Sequence, residues 1–207
     1  VLASAGLTLH GRQLTLFIRP QELNDARHFL ANKKIPADRL LIGLNPGATF
    51  GTAKRWLTDR YARLGQRMIA ELDSHVAIFG GPGEMALGRQ LAADIGKGCI
   101  DLSGQTTLRQ AMALIGRCNL FITNDSGLMH VAAALNTPQV AVIGPTDPTA
   151  TGPCNPESRI VQVTEACHLS PCLQPHCPII DHRCMTAIGV DMVMAAARTL
   201  LKQPQVR

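Results

Sequence analysis

The sequence NDSGLMH, residues 124–130, places a polar turn between an apolar run and a helix-forming stretch. A helix that begins here would direct the free N–H groups of Ser126, Gly127 and Leu128 at an anion, and its dipole favours negative charge at the same place. Gly127 has no side chain, so a phosphate can approach its backbone closely. Asp125 is either a helix cap or an acceptor for a ligand hydroxyl or ammonium group.

This turn also has an ordinary explanation that involves no ligand. Asp and Ser are common helix caps, and a histidine on an apolar helix, such as His130, is more often packed than functional. From these residues alone, both the cap and the anion site stay open.

A second polar loop, GATFGTAKRW, supplies Thr49, Thr52, Lys54 and Arg55 in front of a helix. It is not a Walker A loop, and the later motif GGPGE is not the dinucleotide fingerprint, so neither ATP hydrolysis nor NAD binding is indicated. Lys54 either forms a solvated surface pair with Arg55 or neutralises a diphosphate as a point charge. Glu84 either interacts favourably with the positive end of the helix dipole as a first-turn residue or accepts hydrogen bonds from ribose hydroxyls.

Short apolar runs alternate with helical stretches and position these loops. The predicted strands lie in LLIGLNPG, HVAIFGGPGE, CIDLSG, LFITND, PQVAVIGP and RIVQV. This alternation predicts an α/β, Rossmann-like, doubly wound and mostly parallel sheet. The polar loops follow the strands, and ligands of such sheets bind outside the carboxyl ends of the strands. We therefore expect a binding site at this edge.

Composition restricts the classes of partner. The net charge of +5 and the pI near 9.0 favour acidic partners such as phosphates, nucleotides or anionic lipid surfaces. Aromatic residues make up 3% of the chain and no dense basic run is present, so no nucleic-acid partner is expected. No apolar stretch approaches the roughly 18 to 20 residues that a membrane span needs.

Four of the seven cysteines lie in residues 167–184, which we call the Cys-rich segment. Their spacing is Cys167-x4-Cys172-x4-Cys177-x6-Cys184, and it complies only partly with the paired Cys-x2–4-Cys knuckles of structural zinc. Buried thiols, or a disulfide formed during purification, are therefore expected and no bound metal, while zinc or an iron–sulfur centre stays open as the alternative.

From about Leu40 onwards the chain resembles a known enzyme family in both motif order and spacing. LNPGATFGTAKRW, FGGPGE, DLSGQTTLRQAMALIGRCNLFITNDSGLMHVAAALNTPQVAVIGPTDPTATGP and the cysteine tail are similar to the ADP-heptose:lipopolysaccharide heptosyltransferases of type II. The resemblance implies one half of a GT-B glycosyltransferase, in which two Rossmann-like domains face a cleft. It also implies an inverting transfer of heptose to the lipopolysaccharide inner core, with no cofactor and no required metal.

The same resemblance implies roles for individual residues. Thr49 and Lys54 would contact the diphosphate, and Lys54 would stabilise the leaving ADP as negative charge develops on it. Glu84 would hold the ribose, and Thr106 would lie near the adenine by its spacing. The phosphate and sugar side would be lined by Asp125, Ser126, Gly127, Leu128 and His130.

For the domains, the resemblance implies a nucleotide-sugar-binding unit at 38–207, with a C-terminal helix at 189–202, and an interdomain remnant at 1–37. The N-terminal domain, with the catalytic base and most of the acceptor site, is expected to be missing, so the chain alone is expected to be inactive. The final helix would then reach towards that domain and leave an apolar face exposed or buried in an oligomer.

The expected partners are ADP-heptose and, through the missing domain, the lipopolysaccharide inner core. The expected location is the cytoplasm of a Gram-negative bacterium, with peripheral contact to the inner membrane and oligomerisation left open. Two other functions compete with this one. The first is a non-catalytic nucleotide-binding module, and the second is a related GT-B enzyme that uses another nucleotide-sugar.

Overall fold

The computed structural model describes Gly6 and residues 14–202. Within the predicted interdomain segment 1–37, residues 1–5 and 7–13 lie outside the described residues. The same holds for residues 203–207, at the end of the predicted 38–207 domain.

Strands and helices alternate along the chain. The strands are β1 (Leu40–Asn45), β2 (Ser74–Ile78), β3 (Cys99–Asp101), β4 (Leu120–Asn124), β5 (Gln139–Val142) and β6 (Ser158–Val161). The helices are α1 (Pro20–Asn32), α2 (Thr58–Leu72), α3 (Met85–Ile95), α4 (Leu108–Ile115), α5 (Gly127–Ala134), α6 (Pro148–Thr151), α7 (Arg183–Thr186) and α8 (Val190–Leu201).

The strands form one parallel sheet in the order β3-β2-β1-β4-β5-β6. The chain therefore winds outwards in one direction from β1 and in the other direction from β4, and the point of reversal lies between these two strands. Asn45 at the end of β1 is in register with Thr123 of β4. The predicted Rossmann-like α/β class is confirmed, and a crevice is expected where the winding reverses.

Helices bury both faces of the sheet. On one face α2, α3 and α8 pack over a core that includes Leu64, Met68 and Leu91. On the other face α1, α4 and α5 cover a second core that includes Leu30 and Phe121. Helix α2 shows the apolar stripe at helical spacing that predicted it, since Tyr61, Leu64 and Met68 are buried.

The final helix packs differently from the expectation. We expected the helix at 189–202 to reach towards the missing domain and to leave an apolar face exposed or buried in an oligomer. In the structure α8 contacts α2, β5 and β6, and the side chains of Val193, Met194, Ala197 and Leu200 are buried. The domain's own sheet needs a cover on this face, and the apolar stripe of α8 supplies it.

Helix α1 belongs to the second core, although it lies inside the segment 1–37. Ala26 and Leu30 are buried against α4, and Arg109 of α4 donates to the Glu22 carboxylate and to the carbonyl of Phe17. The predicted domain boundary near residue 37 stays a prediction.

The helices of the described chain are short. The longest, α2, has 15 residues, and no helix within the described residues is long and apolar enough to cross a membrane.

The packing of α1 gives a stability prediction. Leu30 is 7% exposed, so Leu30→Ala should lower the free energy of unfolding by about 2–5 kcal/mol, the usual cost of an aliphatic truncation in a core. Urea titration of the purified chain measures this. Phe17→Ala is the control, because that side chain is 81% exposed and its loss should change the free energy by less than about 0.5 kcal/mol. Equal small effects of both substitutions would show that α1 is not part of the core.

Candidate functional site

A cavity of about 540 Å³ lies at the carboxyl ends of β1, β2 and β4, where the winding of the sheet reverses. Its lining comes from the loops after these strands and from the first turns of α4 and α5. Six predicted site residues line it together, namely Thr49, Glu84, Thr106, Ser126, Gly127 and Leu128. Their individual roles stay predictions.

Two glycines let the Glu84 carboxylate lie across this cavity. A Cβ on Gly47 would lie 1.6 Å from Glu84 Oε1, and one on Gly80 would lie 3.0 Å from Glu84 Oε2. Glu84 Oε2 also accepts the N–H of Gly81 at 2.8 Å. The carboxylate is therefore held at one oxygen, and it is the only carboxylate among the described residues that line the cavity.

The turn before α5 does not cap the helix with a side chain, so the cap expectation for Asp125 and Ser126 is wrong. Ser126 occupies the N-cap position, but no backbone N–H of the first turn donates to its hydroxyl. Its Oγ accepts from Nδ2 of Asn45 at 2.6 Å instead. A Cβ on Gly127 would meet no protein atom within 4 Å, so the first turn of α5 opens onto free space.

Asp125 is buried and accepts from three side chains. Its Oδ2 lies 2.9 Å from Lys54 Nζ, 2.7 Å from Thr146 Oγ1 and 3.0 Å from Thr151 Oγ1. Only 5% of the Asp125 side chain and 15% of the Lys54 side chain are exposed. A buried carboxylate is costly unless it is paired and hydrogen-bonded, and these three donors meet that need.

Lys54 thus lies beside the cavity in an ion pair. Its Nζ is also 5.5 Å from the centre of the Phe50 ring. Among the nine predicted residues, Lys54, Asp125 and His130 are absent from the lining of the cavity. His130 is half-buried on α5, one turn after Gly127, and its role stays a prediction.

Asn124 fixes the loop that leads to Lys54. Its Oδ1 accepts from the backbone N–H of Trp56 and from the hydroxyl of Tyr61, both at 3.0 Å. Its Nδ2 donates to the carbonyls of Pro46 and Gly47 at 2.8 and 3.1 Å. Both ends of the β1–α2 loop are therefore bonded to one buried amide at the end of β4.

Four residues that hold the site were not among the predicted ones, namely Asn45, Asn124, Thr146 and Thr151. The sequence carried a partial signal, because all four occur in polar motifs at predicted strand ends. Their partners lie 21 to 81 residues away along the chain, and no local pattern identifies such a pairing.

A second cavity, of about 450 Å³, lies at the opposite edge of the sheet, near the start of β1. Its basic lining residues are Arg27, Lys34, Arg39 and Arg117. None of the predicted site residues lies there, and Arg39 forms an ion pair with Asp73. The cavity at the carboxyl ends is therefore the better candidate for the site.

The cysteines of the Cys-rich segment are free thiols. Burial first, and then the neighbouring thiols of Cys167, Cys177 and Cys172, raise the pKa of Cys184 to about 11. No group of three or more His, Cys, Asp or Glu residues in the described part of the chain is arranged to hold a metal ion.

Known proteins resemble this chain in sequence. The model of glycosyltransferase family 9 (heptosyltransferase) matches residues 6–179. Lipooligosaccharide heptosyltransferase 2 of Haemophilus influenzae is 37% identical over 149 residues, which are 70% of this chain and 43% of that protein. Lipopolysaccharide heptosyltransferase 2 of Escherichia coli is 41% identical over 138 residues, which are 65% of this chain and 39% of that protein. The chain therefore spans about two fifths of the length of these relatives.

A solved structure agrees with this similarity. The structure of Escherichia coli ADP-heptose lipopolysaccharide heptosyltransferase II superposes with a TM-score of 0.76 at 32% identity. The match covers 90% of this chain and 53% of that one.

The contribution of the Thr146 hydrogen bond to the stability of the buried Asp125 carboxylate can be measured. Thr146→Val keeps the shape of the side chain but removes a donor to a buried carboxylate. It should lower the free energy of unfolding by about 1.5–3 kcal/mol, the range for a hydrogen bond to a charged group. Urea titration again gives the value. Thr199→Val is the matched control, since that exposed hydroxyl bonds only a helix carbonyl. A loss no larger than the control's would show that the Thr146 bond does not stabilise the carboxylate.

Thiol reactivity gives a second prediction. Because alkylation needs the thiolate, Cys184 with its raised pKa and buried side chain should react with iodoacetamide at pH 8 at least about 100-fold more slowly than the exposed Cys154. Peptide mass spectrometry over a time course measures both rates. In about 6 M urea the two rates should converge, because unfolding removes the burial. Comparable rates in the folded protein would contradict the buried-thiol interpretation.

Proposed function

The chain belongs to glycosyltransferase family 9, the heptosyltransferases, and we propose that its cavity binds the ADP part of ADP-heptose. One observation carries this proposal: the open N-terminus of α5 and the Glu84 carboxylate line one cavity at the reversal point of the sheet, and the Lys54 ammonium lies beside it. A volume of about 540 Å³ is within the range of nucleotide and cofactor sites. The relatives named above, which act as heptosyltransferases, support the choice of ligand.

The diphosphate has two sources of stabilisation in this proposal. The first turn of α5 offers N–H groups and the positive end of the helix dipole, and the free space at Gly127 lets a phosphate approach. Lys54 supplies the second. Its ammonium carries three N–H donors, of which Asp125 takes one. Two donors remain for phosphate oxygens while the ion pair stays in place.

Glu84 is the proposed ribose ligand. Its Oε2 is fixed by the N–H of Gly81, and Gly47 and Gly80 leave room for the carboxylate in the lining of the cavity. A fixed carboxylate accepts hydrogen bonds from two adjacent hydroxyls without reorganisation, which the ribose of a nucleoside offers. Thr106, at the start of the wall formed by α4, is the proposed neighbour of the base.

In the transfer step, Lys54 would act on the leaving group. Breaking the bond between heptose and phosphate develops negative charge on the departing ADP, and an ammonium fixed beside it lowers the energy of that charge. We assign the base that activates the acceptor, and the binding of the lipopolysaccharide inner core, to parts of the protein outside these residues. The chain alone is then expected to bind the donor and transfer nothing.

The location follows from the substrate. An acceptor that is a membrane glycolipid brings the enzyme to a membrane surface, and the net charge of +5 favours contact with anionic lipids there. We therefore infer a peripheral contact with the cytoplasmic face of the inner membrane.

Calorimetric titration with nucleotides tests the proposal. ADP should bind saturably and more tightly than UDP or GDP. Lys54→Ala should weaken ADP binding by about 10-fold to 100-fold, because it removes charge-assisted hydrogen bonds to phosphate. Arg63→Ala is the matched control, since it removes the same charge from an exposed position on α2 and should leave the affinity unchanged.

Other outcomes separate the alternatives. A preference for UDP would favour a related enzyme with another nucleotide-sugar. An equal loss of ADP affinity in Lys54→Ala and Arg63→Ala would mean that binding depends only on the net charge of the protein. Failure of a folded wild-type chain to bind any nucleotide would contradict the proposal.

A further inference from the structure

The Cys-rich segment lies against the loop that carries Lys54. The N–H of Ala53 donates to the carbonyl of Pro175 at 3.0 Å, and the carbonyl of Ala53 lies 2.7 Å from Nε2 of His182. One residue earlier, Thr52 Oγ1 lies 3.2 Å from Nδ1 of His176. Both backbone groups of the residue before Lys54 are thus bonded to this distant segment.

The contact between His182 and the Ala53 carbonyl determines that Nε2 of His182 is protonated. A carbonyl oxygen only accepts hydrogen bonds, so Nε2 of His182 must carry a hydrogen to donate to Ala53. This holds both for the neutral ring with its proton on Nε2 and for the charged ring. His182 is therefore a donor to the Ala53 carbonyl in either state.

The two chain segments also touch backbone to backbone. Gly51 has a φ of +139°, and a Cβ there would lie 2.1 Å from the carbonyl oxygen of Pro175. Only glycine permits both this conformation and this approach. The loop and the Cys-rich segment therefore fit each other at the atomic level.

The Cys-rich segment is anchored on the sheet at a second place. The N–H of Leu173 donates to the carbonyl of Pro145 at 2.9 Å, and the Ser170 hydroxyl donates to the carbonyl of Gly144 at 2.8 Å. Pro145 is followed directly by Thr146, whose hydroxyl donates a hydrogen bond to the Asp125 carboxylate. The segment thus connects the two loops that hold the Lys54–Asp125 ion pair.

We propose that the Cys-rich segment is a positioning element for Lys54, and that His182 is a positioning residue that acts through the carbonyl of Ala53. The proposal rests on the proposed function, since it assumes that Lys54 meets a diphosphate. A side chain whose loop is fixed before binding loses less conformational freedom when the ligand arrives. The segment would then increase the affinity for the phosphates and not for the nucleoside.

The first test needs no ligand. Amide hydrogen exchange of the full chain, read by mass spectrometry, should show about 2-fold to 10-fold faster exchange at residues 51–56 in His182→Ala, because one hydrogen bond to the loop is lost. His168→Ala should exchange like the wild type, since His168 is an exposed residue of the same segment. Unchanged exchange of the loop in His182→Ala would overturn the proposal.

The second test compares ligands. His182→Ala should weaken ADP binding by about 3-fold to 10-fold, the factor for one hydrogen bond, and leave the binding of adenosine unchanged. His182→Gln should restore most of the affinity, because its amide offers a donor at a similar reach. Both variants place an L side chain at the same φ of +47°, so backbone strain cancels between them. Equal losses for ADP and adenosine, or no rescue by Gln, would show a merely structural role.

Two further points keep the test decisive. If His182→Ala does not fold, Gly51→Ala replaces it, because the added methyl group displaces the loop from Pro175 and should give the same loss for ADP. If the wild type binds no ADP, the proposed function fails, while the exchange experiment still decides whether the segment holds the loop.

Discussion

The structure of the site depends on the burial of one carboxylate. Asp125 is 5% exposed, and an unpaired charge at that depth would cost several kcal/mol. Its compensation comes from the β1–α2 loop through Lys54 and from the loop after β5 through Thr146 and Thr151. Because three donors from two other strand ends meet at one oxygen, movement of either loop alone removes hydrogen bonds from the buried carboxylate.

This constraint also determines the electrostatics of the cavity. The Lys54–Asp125 pair is neutral as a whole, but its ammonium keeps donors that point away from Asp125. The phosphate groups of a ligand would contact the Lys54 ammonium on one side and the N-terminus of α5 at Gly127 on the other. The hydrogen bonds of Asp125 hold Lys54 in place without a ligand, and such preorganisation is what the proposed stabilisation of a leaving group requires.

The sequence predicted the parts of this arrangement that follow local rules. Alternating strands and helices gave the parallel sheet, and the polar motifs at strand ends placed Thr49, Glu84 and Gly127 around one cavity. Motif resemblance added the family. Side-chain pairings were not predictable in this way: Ser126 looked like a helix cap, yet its hydroxyl bonds Asn45 from the neighbouring strand. Such a bond depends on strand register and rotamer, and neither leaves a local pattern in the sequence.

The same limit applies to the outer parts of the chain. The sequence of α8 did not identify the surface that covers its apolar stripe, which is the domain's own sheet and not a missing domain or an oligomer partner. The spacing of the cysteines suggested a choice between metal and thiols, and it gave no hint that His182 and Pro175 would bond the loop before Lys54.

The central claim is that a nucleoside diphosphate binds at the carboxyl ends of the strands. Two-dimensional amide NMR of the ¹⁵N-labelled chain during titration with ADP tests it most directly. We expect the largest chemical-shift changes at the amides of Gly127, Leu128 and Thr49, with little change around the second cavity at Lys34. Changes concentrated at Lys34 and the start of β1, with the amides of Gly127 and Leu128 unmoved, would contradict it.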